Sequence, residues 1–124
     1  MVYRDGGNGL EDFVLFSVSW MLNQQVTSYD DQGKVLPDDG EYQRQGAEKL
    51  YVLAEFLREK GLLREGVDVS RRPDLELRFS QLTEAGQRFA RAAMNNWITS
   101  LDRAGPRAKI DASGLERRWA KFAA

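Results

Sequence analysis

The amino-acid sequence predicts an α+β domain that is mostly helical. Four segments carry apolar residues at helical spacing, and one pair of short segments alternates apolar with polar residues. Turns rich in Gly, Pro and Asp separate these segments. With 124 residues, 42% of them hydrophobic, the chain is large enough for one core. We therefore expect a single domain over 1–124, with a loose, glycine-containing lead-in over 1–9.

The first apolar segment runs from Leu10 to Leu22 and has apolar residues on nearly every side. This pattern favours a buried helix, although the same run is rich enough in β-forming residues to be a strand. Residues 26–40 are polar and contain two turn sequences, 30–33 and 37–40. They are expected to form either a short hairpin around the first turn or an exposed acidic loop.

The clearest helix is predicted over 41–60, where apolar residues make one continuous face. Gly61 stands where a left-handed C-terminal cap is wanted, and Leu62 can pack back on the last turn. Asp38 or Asp39 could cap the N-terminus of this helix.

The second half of the chain predicts a β-hairpin followed by two helices. Val67 and Val69 alternate with polar residues, as do Leu75, Leu77 and Phe79, so a hairpin is expected over 67–79. Thr83 is a suitable N-cap for a long helix that ends near Ala104, before Gly105-Pro106. A short helix from about Ser113 completes the basic segment 105–124.

Composition argues against an enzyme. The chain contains neither cysteine nor histidine, so thiolate and imidazole chemistry are absent, and with them the commonest metal ligands. The acidic residues Asp30, Asp31, Asp38, Asp39 and Glu41 do not match the spacing of a calcium-binding loop. No catalytic residue, cofactor or metal is therefore predicted. We expect a small soluble cytoplasmic domain, because no apolar run is long enough for a membrane helix and no signal peptide is recognisable.

Charge is unevenly distributed along the chain. Residues 1–42 carry 2 basic and 8 acidic side chains, a net charge of −6. Residues 43–102 carry 10 basic and 9 acidic side chains, and residues 103–124 carry 6 and 2, so these parts are +1 and +4. Such asymmetry predicts either an acidic partner surface and a basic tail, or two ends that neutralise each other.

Two stretches carry a resemblance to a known superfamily. They are Leu53-Ala-Glu-Phe-Leu-Arg-Glu-Lys-Gly-Leu-Leu63 and Leu82-Thr-Glu-Ala-Gly-Gln-Arg-Phe89. Their order, with a hairpin between them and a long helix after them, resembles the winged helix-turn-helix superfamily over roughly residues 47–104, and most of all bacterial multidrug-resistance-type regulators. The resemblance implies a winged-helix-like fold, in which a β-hairpin wing is followed by a long C-terminal helix.

The resemblance also implies sites for duplex DNA and for dimerisation. The helix over 41–60 would correspond to the recognition helix, and the hairpin would be the wing. Possible nucleic-acid contacts are then basic residues of these two elements: Arg44, Lys49, Arg71, Arg72 and Arg78. The possible dimer interface is the apolar stripe of the long helix with one tryptophan beyond it: Met94, Trp97, Leu101 and Trp119.

The residues of the supposed recognition helix favour a different function. Its outward positions hold Val52, Leu53 and Phe56, and its four basic side chains are balanced by four acidic ones. A DNA reader gains from net positive charge, so we expect a non-enzymatic binding or regulatory module acting through protein–protein contacts at these three residues and the acidic 26–41 segment. If the N-terminal helix covers the three residues, they are core instead. A protein partner or a homodimer is favoured, and a dimeric DNA-binding transcriptional regulator is the alternative.

Overall fold

The computed structural model describes residues 13–25, 27–36, 40–104 and 109–123, and its fold is α+β and mostly helical. In chain order the elements are β1 (Val14–Ser17), α1 (Val18–Leu22), β2 (Ser28–Tyr29), β3 (Val35–Leu36), α2 (Glu41–Glu59), β4 (Glu76–Arg78), a 3₁₀ turn (Phe79–Gln81), α3 (Glu84–Phe89), a π-helical turn (Ala90–Met94), α4 (Asn95–Ala104) and α5 (Ser113–Ala123). Within these ranges no helix has the length and apolar character needed to span a bilayer.

Several expectations fall outside the described residues. They are the lead-in over 1–9, the beginning of a helix at Leu10, the caps at Asp38 and Asp39, and the helix stop at Gly105-Pro106.

The predicted helix over 41–60 is confirmed as α2, together with its C-terminal cap. Gly61 has a φ of 69°, the left-handed conformation that glycine adopts without a side-chain clash. Its amide donates to the Arg58 carbonyl at 3.1 Å, and the Leu62 amide donates to the Leu57 carbonyl at 2.9 Å. These two bonds satisfy carbonyls that the end of a helix would otherwise leave without partners.

The first apolar segment is divided between a strand and a helix, so the prediction of one continuous helix is wrong for residues 14–17. They form β1, and Ser17 then caps α1 by accepting a hydrogen bond from the Trp20 amide at 3.2 Å. Because the chain changes from strand to helix at this point, the side chains of Phe16 and Val18 are buried in the core, whereas Trp20 is exposed. Between α1 and α2, β2 and β3 pair as the short hairpin that was one of the two alternatives.

The predicted hairpin over 67–79 is wrong in its strand pairing. β4 pairs antiparallel with β1, joining Phe16 to Leu77 and Ser17 to Glu76, and residues 67–69 form no strand. A reversal does occur, since Leu63 and Leu82 form an isolated antiparallel bridge. The chain between them packs instead of pairing, because Val69 and Leu75 are buried in the core.

The long helix over 84–104 is continuous but contains one wide turn. Thr83 caps it as predicted, with its hydroxyl accepting from the Gly86 amide at 3.1 Å. α3, the π-helical turn and α4 then follow without a break, and α5 forms the short helix predicted from Ser113.

Candidate functional site

The residues predicted to meet a partner lie inside the protein. Val52 is 8% exposed, Leu53 0% and Phe56 1%. The Phe56 ring packs 5.6 Å from the Phe89 ring and 6.5 Å from the Trp119 ring, measured between centroids. The prediction that these three residues form an exposed face is wrong, because α2 is the central helix and is covered on more than one side. They belong to the core, which was the alternative.

The predicted dimer interface is also largely internal. Met94 and Trp97 are buried within the single chain. A Cβ atom at Gly114 would lie 3.0 Å from Trp97 Cδ1, so α5 passes directly over that indole. Leu101 and Trp119 remain only partly exposed. Met94 and Trp97 are therefore unavailable as a seam between two copies in this arrangement.

Three of the predicted nucleic-acid contacts lie beside carboxylates. Arg44 is 2.8 Å from Glu41, and Arg78 is 3.9 Å from Glu76. Arg72 approaches two carboxylates, those of Asp68 at 3.3 Å and Asp74 at 3.1 Å. Exposed ion pairs of this kind are weak, so they do not lock the side chains. They do leave the surface around these arginines close to electrically neutral.

Arg71 is held more firmly than the others. Its Nε and Nη2 donate to the two carboxylate oxygens of Glu55 at 2.9 and 3.0 Å, while Nη1 donates to Glu48 at 2.9 Å. The guanidinium also lies over the Tyr51 ring, 5.3 Å from its centroid. The hydrogen bonds to Glu55 and Glu48 raise the pKa of Arg71, and the hydrogen bond from Arg71 lowers the pKa of Glu55. Arg71 therefore fastens the 64–75 loop to α2, and a phosphate would have to displace two carboxylates to bind it.

The described residues form a groove of about 630 Å³ between β1, α1 and the first half of α2. Partly buried apolar side chains form its floor: Leu15, Met21, Leu50 and Ile98. Exposed side chains form its rim, among them Trp20, which is 68% exposed, and Tyr42, which is 54% exposed. Its volume lies within the roughly 300–1,000 Å³ range of ligand sites.

A glycine sets the shape of the floor. α1 and α2 pack against each other, and a Cβ atom at Gly46 would lie 2.5 Å from Met21 Cε and 2.6 Å from Met21 Sδ. Any side chain at this position would therefore push the thioether away from α2. With glycine there, Met21 can pack closely against α2 in the lining of the groove.

Polar groups in the groove are few and balanced in charge. Lys49, the remaining predicted nucleic-acid contact, lines it together with Glu76, Gln45 and Ser17. One lysine and one glutamate give no net charge inside the groove. Within the described ranges, no group of three or more Asp, Glu, His or Cys side chains is placed to hold a metal ion. The groove is thus suited to binding apolar groups.

The β2–β3 hairpin connects the two helices that form the walls of the groove. Its turn is well defined, since Asp30 Oδ1 accepts from the Gln32 and Lys34 amides, both at 2.9 Å, and Gly33 has a φ of 80°. The base of the connection is tied to α2 by Gln43, whose side-chain amide donates to the Gln24 carbonyl at 2.8 Å. Three apolar side chains of the hairpin are exposed: Tyr29, Val35 and Leu36.

Sequence reasoning missed the aromatic rim. Trp20 was included in a helix expected to be buried, and Tyr42 was not singled out. The exposed large hydrophobic side chains of the described residues all fall between positions 13 and 42, in the acidic part of the chain. The occurrence of many apolar residues in a segment of high net negative charge was the feature of the sequence that could have indicated exposed apolar side chains.

Comparisons of the chain with protein-family models, with curated proteins and with solved structures gave no match. Among the described residues, the groove combines an apolar interior with exposed aromatic side chains at its rim.

Proposed function

We propose that this chain is a non-enzymatic binding module that acts through protein contacts, and that the groove between β1, α1 and α2 is the surface that meets the partner. The observation that carries the proposal is the exposure of Trp20 and Tyr42 at the rim of an apolar groove. Large aromatic side chains are enriched where proteins bind each other and account for much of the binding energy there.

The extent of the apolar surface supports a protein partner over a small molecule. Tyr29, Val35 and Leu36 are further exposed apolar side chains, on the hairpin between α1 and α2 and outside the groove lining. A compact ligand in the groove would leave these side chains in water, whereas a protein segment can cover both. Large exposed apolar side chains grouped in one part of a chain are consistent with an interaction site.

The scaffold that we propose is winged-helix-like. The order of α2, the cap at Gly61, a reversal between Leu63 and Leu82, and a helix capped by Thr83 agrees with the resemblance of the sequence. Nevertheless, the proposed contact surface is not the face that the resemblance implies. It lies at the N-terminal half of α2 and not at Val52, Leu53 and Phe56, which are buried.

Selection of peptides from a random library displayed on phage, with the full chain as bait, tests this proposal. Selected sequences should bind the unchanged protein and lose at least about tenfold in affinity to a Trp20→Ala, Tyr42→Ala double variant. Both residues are more than half exposed, so the double variant should keep its fold. A matched control replaces Arg117 and Lys121, exposed residues of α5, by alanine and should bind unchanged.

A duplex-DNA titration at low salt tests the alternative function, that of a DNA-binding regulator. If no peptide is selected, and DNA binds in a manner that Arg71→Ala with Arg72→Ala weakens, the proposal is wrong and the alternative of a DNA-binding regulator replaces it. Peptide binding that does not depend on Trp20 or Tyr42 would equally remove the groove as the contact surface.

A further inference from the structure

We propose that residues 70–74 form a strap against α2 that opens in acid, when the two glutamates that hold Arg71 are protonated. Neither the strap nor these glutamates line the groove, so this conformational switch is independent of the proposed function. The proposal rests on the way the strap is fastened, on the burial of its flanking residues, and on the charges that surround Arg71.

Arg71 and Tyr51 fasten the strap to α2. Arg71 donates through Nε and Nη2 to the carboxylate of Glu55, and through Nη1 to that of Glu48. The two acceptors are seven positions apart in the sequence, so one guanidinium bridges about two turns of the helix. The Tyr51 hydroxyl donates to the Arg72 carbonyl at 3.0 Å, and its ring lies beneath the guanidinium of Arg71.

The strap can open without exposing the core. Its flanking residues, Val69 and Leu75, are 2% and 0% exposed. Leu75 is also anchored through its carbonyl, which accepts from the Val18 amide at 2.9 Å. The residues between the two anchors are exposed or only partly buried. Segments with few buried apolar contacts open locally at a lower free energy than global unfolding requires.

Ionisation of the two glutamates determines whether the strap is held. A hydrogen bond between charged groups is roughly twice as strong as one between neutral groups, and Arg71 keeps its charge throughout. A protonated carboxyl group has lost its charge, and one of its oxygens has become a donor. The hydrogen bond from Arg71 lowers the pKa of Glu55 below its usual 4.5, so the strap is closed at neutral pH and is released as the pH falls through that lowered value.

Other charged groups near Arg71 do not replace this fastening. Arg58 lies on α2, and its charge further lowers the pKa of Glu55. On the other side, Arg72 pairs with Asp68 at 3.3 Å and with Asp74 at 3.1 Å. Both pairs join residues of the strap and of the chain just before it, and neither reaches α2. They shape the strap and leave its attachment to the glutamates.

Opening reverses the charge of this part of the surface. When the strap is closed, the single positive charge of Arg71 faces the negative charges of Glu48 and Glu55. When both carboxyl groups are protonated, only the positive charge remains, and the guanidinium is released into water. An anionic partner would therefore meet an available Arg71 in acid and a neutralised one at neutral pH.

Glutamine variants imitate the protonated carboxyl groups at neutral pH. Trypsin cleaves after arginine, and it can cleave after Arg71 only when that side chain leaves α2 and enters the protease. With Glu48→Gln and Glu55→Gln together, we expect cleavage after Arg71, followed by mass spectrometry, to be at least about tenfold faster than in the unchanged chain. Glu65→Gln with Glu84→Gln removes the same charge at exposed positions away from α2 and should leave the rate within about twofold.

NMR of the Arg71 Nε–H group follows the unchanged chain as the pH is lowered, with Arg71→Lys identifying the signal. We expect its chemical shift to return to the value of free arginine between about pH 5 and pH 3, while circular dichroism stays native. A shift that does not move, or that moves only together with loss of the circular dichroism signal, would overturn the proposal. Equal cleavage of the glutamine variant and the unchanged chain would overturn it as well. Peptides selected for the groove should bind this variant unchanged, so the two proposals fail separately.

Discussion

Replacement of Gly86 by alanine examines a close packing contact between α3 and the backbone at Leu62. A Cβ atom at this position would lie 2.5 Å from the carbonyl oxygen of Leu62, and 3.1 and 3.2 Å from the Cβ atoms of Leu62 and Leu82. The Leu62 carbonyl belongs to the backbone and cannot rotate away. It also accepts a hydrogen bond from the Thr83 amide at 2.8 Å, so α3 cannot retreat without stretching that bond.

The expected change in stability follows from three contributions. Overpacking of a well-filled site costs about 1–3 kcal/mol, and a weakened hydrogen bond costs about 1 kcal/mol more. Alanine recovers about 1 kcal/mol through its higher helix propensity. The net destabilisation is therefore about 1–3 kcal/mol. For a domain of this size it corresponds to a decrease in Tm of roughly 4–12 °C.

Urea denaturation followed by circular dichroism measures this change, and Gly61→Ala serves as the control. Gly61 has a positive φ of 69°, but a Cβ atom added there would have no neighbouring atom within 4 Å. Alanine there should lose only about 1–2 kcal/mol, from the left-handed conformation itself. If Gly86→Ala proved as stable as the unchanged protein or more so, α3 would not approach Leu62 as closely as the structure has it, and the reasoning would be refuted.

Three further predictions concern the groove, an ion pair and the core. Trp20→Ala should change the unfolding free energy by less than about 0.5 kcal/mol, since the indole is mostly exposed, and a urea midpoint displaced by more than that would show that Trp20 supports the fold. Because the hydrogen bond from Arg71 lowers the pKa of Glu55 below its usual 4.5, the ionised carboxylate contributes stability at neutral pH that is lost as the pH falls through its folded-state pKa. Glu55→Gln should therefore show a smaller loss of stability between pH 5 and pH 3 than the unchanged protein, and an equal loss, measured by urea midpoints, would contradict this. Phe56→Asp should unfold the domain, as judged by circular dichroism and hydrogen exchange, because it buries an unpaired charge in the core; a folded variant that had lost only a partner would contradict the burial.

Local signals were sufficient for the helices but not for the sheet. Gly61 and Thr83 mark helix ends through bonds that span at most five residues, so their roles could be predicted from the sequence. The pairing of β1 with β4 joins residues about 60 positions apart, and alternation of apolar residues does not say which partner a strand will take. Leu77 was therefore correctly expected to lie in a strand, but the strand expected to pair with it, at residues 67–69, was the wrong one.

The candidate site was mispredicted for a related reason. An outward direction for Phe56 was taken from the superfamily resemblance, yet a helix with apolar residues on two sides is covered on both. Arg71 looked available because its carboxylate partners, Glu48 and Glu55, lie 23 and 16 residues away in sequence. Trp20 is exposed only because the chain changes from strand to helix at Ser17, a change that the apolar pattern does not mark.

The π-helical turn at Ala90–Met94 determines the directions in which the side chains of the following helix, α4, point. A regular α-helix advances by about 100° per residue, so positions eight apart, such as Phe89 and Trp97, would point about 80° away from each other. Both are nevertheless buried, because the π-helical turn takes up one additional residue and brings them back toward one side. Deletion of a single residue here, for example the exposed Ala92, would let the helix become regular. The side chains of α4 would then be rotated about the helix axis, away from their present contacts with α5. Length in this segment is consequently constrained more tightly than the identity of its solvent-facing side chains.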